Sequence, residues 1–296
     1  MMNVKKTQTT TPINAKSILP HPLLAGWVSH YCLLQGDVDP ALPAAVQTIY
    51  PCESSAMILQ LGRPVDYLAP SGKWTKRATG FVEGQFHRPF QLRFSGRVKL
   101  ICVWFKPGRA HQFIRDSQST INNRFENAAD VLGRPATELL ERCHETSDLR
   151  PLKELIDQFL LARLPAANDK FDSFWRAIDQ IKDSGGTMPI ERVAHSSGLS
   201  IRTTERTFGD LLGMTPKQFS RIIRFRSFLR QSFSCPHERL TTLALECGYF
   251  DQAHQIREFR KFTGTCPGQF WSQAEAIEAA TTDIRTFSTW ISNASR

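Results

Sequence analysis

The spacing of apolar residues changes twice along this chain, and the changes divide it. From about Trp27 to Phe105 apolar positions come in short runs broken by Gly and Pro. Ala56–Leu61 (Ala-Met-Ile-Leu-Gln-Leu) ends at Gly62, and Val98–Phe105 (Val-Lys-Leu-Ile-Cys-Val-Trp-Phe) ends at Lys106-Pro107-Gly108. Val65–Leu68, Gly80–Phe86 and Phe90–Phe94 gather apolar and aromatic residues between similar breaks. Short runs with frequent turns predict the strands of a sandwich or barrel. After Gly108 the spacing becomes three and four residues. Ala136–Cys143 and Leu149–Leu164 each predict a helix, and in the second Leu152, Leu155, Ile156, Phe159 and Leu160 form one stripe. Residues 165–170 (Pro-Ala-Ala-Asn-Asp-Lys) read as a linker. Beyond it, to about Ser272, no strand pattern remains and short helices follow one another. Residues 1–18 are polar and read as a flexible arm; 273–296 read as a tail, with a turn or two of helix at Asp283–Ile291. The expected fold class is α+β: a β-rich domain over 19–165 with helices at its end, then an all-α domain over 170–272.

Within the second domain one device occurs twice. Ile190, Val193 and Ala194 give a short helix an apolar face, Gly198 permits a tight turn, and Ser200 is suited to cap a helix over Ile201–Leu212. In that helix Thr204, Phe208 and Leu211 share one face. Arg202, Glu205, Arg206 and Gly209 share another. Leu240, Leu243, Ala244 and Cys247 repeat the first helix, Gly248 repeats the turn, and Asp251 repeats the cap. The following helix buries Ile256, Phe259 and Phe262 and exposes Ala253, His254, Arg257, Arg260 and Lys261. Helix, glycine turn and second helix with a charged outer face is the helix-turn-helix layout, whose outer face enters the DNA major groove. Between the two units Thr215–Gln231 predicts a helix entered through Pro216. Phe219, Ile222, Ile223, Phe225 and Phe228 lie inside it, with Arg221, Arg224, Arg226 and Arg230 around them. A helix of that length holds the two outer faces near one DNA turn apart, about 34 Å.

Composition fits this picture. The chain has 296 residues, 41% hydrophobic and 22% charged, enough for about two domains with sizeable cores. No apolar run approaches the roughly 20 residues of a membrane span, and the polar N-terminus lacks the apolar core of a signal peptide. A net charge of +9 favours a polyanionic partner. Seven scattered cysteines show no zinc-ligand spacing and fit a reducing cytoplasm. His21, His30, His87 and His111 are likewise scattered, with only Glu83 near His87, so no metal and no cofactor is expected. Neither Ser54-Ser55 nor His87 forms a catalytic triad order.

The residues Ala194…Gly198-Leu199-Ser200…Arg206-Thr207-Phe208…Gly213-Met214-Thr215-Pro216, Arg224-Phe225-Arg226 and Ala244–His254, closed by Arg257-Glu258-Phe259, Phe262, Gly264 and Pro267, carry a specific likeness. Over roughly 172–271 the chain resembles the AraC/XylS family of bacterial transcription regulators. That resemblance implies base-facing roles for Arg202, Glu205 and Arg206 in the first unit and for Gln252, Ala253, His254 and Arg257 in the second. Arginine there can pair with guanine O6 and N7; Glu205 can accept from cytosine N4 or pair within its own helix. His254 is either a reader or a surface residue. Ser200, Arg221, Arg224, Arg260 and Lys261 are the expected phosphate contacts, since phosphate contacts outnumber base contacts. Where the family carries large apolar residues this chain has Thr204 and Gln255, and an interior polar group costs stability unless it is hydrogen-bonded. More loosely, 22–164 is similar to the cupin-like sensor domains that precede this module, with Val103–Arg109 as the closest stretch. Such domains bind an effector or dimerise. The expected partners are therefore double-stranded DNA, a small-molecule effector, RNA polymerase and a second copy of the chain, with no membrane. The alternative is an alkyl-damage acceptor using Cys52, or a cupin-type enzyme, fused to the same module.

Overall fold

Strands covered on both faces read as unbroken apolar runs, and the two strongest runs of this chain lie at the middle of a sheet. The computed structural model describes residues 13–39, 46–114, 118–146, 148–164, 171–235 and 239–272. Among them the strands are β1 (Asn14–Ile18), β2 (Val28–Val38), β3 (Val46–Ile49), β4 (Ala56–Gln60), β5 (Asp66–Leu68), β6 (Trp74–Lys76), β7 (Gly80–Glu83), β8 (Phe90–Arg93), β9 (Gly96–Phe105) and β10 (Phe125–Asn127). They form a six-stranded sheet in the order β1-β2-β9-β4-β7-β10 and a four-stranded sheet in the order β3-β8-β5-β6. All pairings are antiparallel.

The period of two along β4 and β9 separates two cores. Met57, Leu59, Ile101, Val103 and Phe105 face helices α2 (Ala128–Leu132), α3 (Arg134–His144) and α4 (Leu149–Leu161), where Leu139, Leu152, Ile156 and Leu160 meet them. Ala56, Ile58, Leu100, Cys102 and Trp104 face the four-stranded sheet, against Val65 and Phe94. The N-terminal domain is thus a β-sandwich with helices on its outer face.

Two expectations change here. β1 lies inside the stretch read as an arm, paired with β2 from Asn14↔Gln35 to Ile18↔Tyr31. An edge strand with one wet face needs no apolar run, because the ladder is made by the backbone. β10 lies where only helix was expected; three residues paired with β7 are too few to show a period. The linker at 165–170, the tail at 273–296 with Asp283–Ile291, and residues 1–12 of the arm fall outside the described residues.

Glu83 on β7 lies opposite Ala56 and Phe125, and burial pushes its carboxyl from 4.5 up to about 8. The folded chain therefore keeps a proton that the unfolded chain releases between these values. Stability is expected to fall as pH rises from about 4.5 to 8, by at most about 1.4 kcal/mol per unit, and to level off above. Glu83→Gln should flatten that decline in denaturant titrations at pH 5, 7 and 8.5; an unchanged slope would refute the assignment.

The C-terminal helices are α5 (Asp172–Asp183), α6 (Ile190–Ser196), α7 (Ile201–Leu212), α8 (Pro216–Ser234), α9 (Leu240–Glu246) and α10 (Gln252–Thr263). They close around α8, whose Phe219, Phe225 and Phe228 join Phe174, Phe208 and Phe259 in one core. Thr215 and Gln218 start α8 with a reciprocal capping box, and Pro216 occupies the first turn, where no amide is needed.

The two domains meet through specific contacts. Arg226 of α8 is buried rather than surface-facing, and its Nε lies 3.6 Å from Glu53 Oε2 of the sandwich, with side chains 5% and 3% exposed. Asn122, just past the short helix α1 (Gln118–Ile121), donates from Nδ2 to Leu212 O and Gly213 O, 2.9 Å each. The Arg109 guanidinium lies 3.6 Å from the centre of the Trp175 ring. Tyr50 meets Phe270 edge-on at 5.5 Å.

Candidate nucleic-acid interface

The first unit is α6, its turn and α7. Gly198 has φ +72, which the turn requires, and the Leu199 amide donates back to Ala194 O at 2.9 Å. Ser200 caps α7 by accepting from the Thr203 amide at 3.1 Å. Phe208, Leu211 and Leu212 point inward. Thr204 is fully buried beside them and donates to Ser200 O at 2.9 Å, so its hydroxyl is satisfied and the expected penalty is removed. Arg202, Glu205 and Arg206 are exposed together on the opposite face. Among the described residues Glu205 makes no ion pair with either arginine.

The second unit repeats the geometry with α9, a turn at Gly248 (φ +76) and α10. The Tyr249 amide donates to Ala244 O at 3.0 Å, and Asp251 accepts from the His254 amide at 2.6 Å. Gln252, Ala253, Arg257, Arg260 and Lys261 are exposed. His254 is half-buried: Nδ1 accepts from the Phe250 amide at 3.4 Å, and Nε2 lies 3.9 Å from Glu258 Oε1. Its ring therefore braces the turn as well as bordering the outer face.

Gln255 is buried beside Phe259 and Phe262, the inward place where the resemblance puts a large apolar residue, but two positions differ from expectation: Ile256 is only half-buried, and Glu258 is buried. Helical rise puts 255, 259 and 262 on one stripe and leaves 256 at its edge. Glu258 is paired with Arg221 of α8. Arg224 donates to Gly186 O at 2.8 Å. Both arginines, expected at phosphates, are thus half-buried and engaged in holding α8 to its neighbours, whereas Ser200, Arg260 and Lys261 are exposed.

Gln255 keeps its Nε2 buried with no hydrogen-bond partner among the described residues. An unmet buried amide costs about 1–3 kcal/mol. Gln255→Leu should therefore raise stability by about 1–2 kcal/mol, read from the denaturant midpoint, without changing the outer face of α10. A lowered midpoint would show that the amide has a partner in solution.

Burial pushes the thiol of Cys52, the residue of the alkyl-acceptor alternative, up to about 12, and the thiol donates to Ser54 O at 3.3 Å. The described residues contain no group of three or more His, Cys, Asp or Glu placed to hold a metal ion.

Some functional contacts were beyond sequence reading. Nothing local marks Arg226 among the arginines of α8 as the one facing Glu53, nor Asn122 as a donor to the end of α7. Only the tertiary fold brings those pairs together.

Two families match parts of the chain. A helix-turn-helix domain family matches residues 193–273, which span both units. The chain carries an AraC-type helix-turn-helix domain. A domain of unknown function, DUF6597, matches 16–127, the sandwich that precedes the AraC-type domain. The chain is accordingly a DNA-binding transcription regulator. Among solved structures it is similar to ToxT from Vibrio cholerae O395, with 11% identity over 77% of this chain and 97% of that one, TM-score 0.42. It is also similar to unsaturated fatty acid-bound ToxT from Vibrio cholerae strain SCE256, with 8% identity over 90% and 96%, TM-score 0.44. A third is the AraC-like transcriptional activator CuxR, with 15% identity over 78% and 90%, TM-score 0.25. No curated protein matches in sequence. No helix among the described residues is long and apolar enough to cross a membrane.

Proposed function

We propose that this regulator reads two successive major grooves on one face of DNA, with α7 in one and α10 in the next, under control of an effector held by the N-terminal domain. The observation that carries the proposal is the pair of exposed outer faces on either side of α8. That helix has 19 residues, about 28 Å of rise. With the packing width of each unit, the reading helices approach the roughly 34 Å of one DNA turn.

The chemistry divides by residue. Arg202 and Arg206 offer paired donors to guanine, and Glu205 accepts from cytosine N4. Gln252 offers the amide that pairs with adenine N6 and N7, and Arg257 offers a second guanine fork. Ala253 packs against bases, and His254 borders them. Ser200, Arg260 and Lys261 meet phosphates, and Arg221 and Arg224 reach the same backbone only from their present pairings. The net charge of +9 draws the chain onto DNA before register is found. A second copy binding alongside and RNA polymerase recruited to the promoter complete the working assembly.

Effector control has a physical route. Asn122 holds the last carbonyls of α7, and Glu53 holds α8 through Arg226. A ligand that shifts the sandwich shifts both. The test is selection of bound sequences from a random DNA pool by the full chain near physiological salt. Two enriched blocks about 10 base pairs apart are expected. Retained DNA without an enriched motif would reduce the interaction to charge and overturn the proposal.

A further inference from the structure

The two reading helices carry different chemistry on equivalent positions. With the caps Ser200 and Asp251 superposed, Arg202 corresponds to Ala253, Glu205 to Ile256 and Arg206 to Arg257. The correspondence is anchored inside: Thr204 and Gln255 are both buried, as are Phe208 and Phe259. The first unit therefore presents two charged groups where the second presents two apolar ones.

The turns differ as well. One residue separates Gly198 from the cap Ser200, and two separate Gly248 from Asp251. The extra residue is Phe250. It is 86% exposed, the most exposed large hydrophobic among the described residues, and the one aromatic in that set. Its outward position is fixed from both sides. Tyr249 before it is buried with its amide bound to Ala244 O, and Asp251 after it caps α10. The Phe250 amide itself is bound to His254. An exposed ring held at the entry of α10 stands beside the outer face that carries Gln252, Ala253 and Arg257, so the groove-reading role proposed above would set it against DNA.

We infer that the second unit reads thymine 5-methyl groups, with Phe250, Ala253 and Ile256 as its apolar surface, while the first reads G·C pairs through Arg202, Glu205 and Arg206. This rests on the groove-reading role proposed above. The thymine methyl is the only apolar group on a base edge in the major groove, and Ala and Phe side chains are suited to it. Arg257 remains in the second unit as its polar anchor.

The test removes the methyl and nothing else. In DNA carrying both selected blocks, thymines of one block at a time are replaced by uracil, and affinity for the full chain is measured at constant salt. Uracil in the α10 block should weaken binding about fourfold per contacted methyl. Uracil in the α7 block should leave affinity unchanged. Phe250→Ala should weaken binding to thymine DNA about tenfold, with an unchanged melting temperature, and should lose most of its response to uracil. Arg206→Ala should keep that response. A second block indifferent to uracil sinks this inference and leaves groove reading standing. So does a Phe250→Ala loss that is the same on thymine and uracil DNA, or no loss at all, the result expected if Phe250 serves a protein partner. Failure to enrich any second block removes both.

Discussion

Arg226→Ala is expected to cost the folded chain about 3–5 kcal/mol, because it takes the buried cation away from the Glu53 carboxylate at the domain junction. The pair is almost sealed from water, with the two side chains 5% and 3% exposed, so solvent cannot replace the lost cation. Typical domains hold only about 5–15 kcal/mol in total. The midpoint of thermal unfolding should therefore drop by roughly 10 °C. Adding Glu53→Gln to Arg226→Met should recover most of the loss, since a buried pair replaced on both sides leaves no orphaned charge. An Arg226→Ala chain that melts with the wild type would show that the junction opens in solution. A double variant as weak as the single one would assign the loss to packing.

The second large effect is on DNA. Arg206→Ala and Arg257→Ala should each weaken binding to the selected site by about 1–3 kcal/mol. They sit in separate units with no shared partner, so together they should remove about 2–6 kcal/mol. Both side chains are exposed, and stability should not change. Random DNA should lose far less. Equal losses on the selected site and on random DNA, with a shallower salt dependence, would reassign both arginines to phosphates.

Much of this was legible because burial leaves a periodic trace. β4 and β9 are covered on both faces and showed as apolar runs. The turn glycines Gly198 and Gly248 and the caps Ser200, Thr215 and Asp251 have local geometric duties, and each stands where its neighbours require it. β1 and β10 were hidden, since edge pairing is made by backbone groups that every sequence carries. The inward place of Glu258 was hidden for another reason. Hydropathy favours Ile256 for burial, but Glu258 is drawn in by Arg221, a partner on a different helix. Arg226 shows the same limit: its charge reads as surface until Glu53 is seen opposite.

The amide of Asn122 bears on how such proteins can be recombined. It supplies hydrogen bonds to the final carbonyls of α7 from a loop of the other domain. A chimera joining this C-terminal half to a foreign front half would arrive without that donor, and water would take its place. The tilt of α7 would then be set by a different surface. For anyone grafting sensors onto readers, these halves are a matched set, and the loop around Asn122 has to travel with the helix it holds.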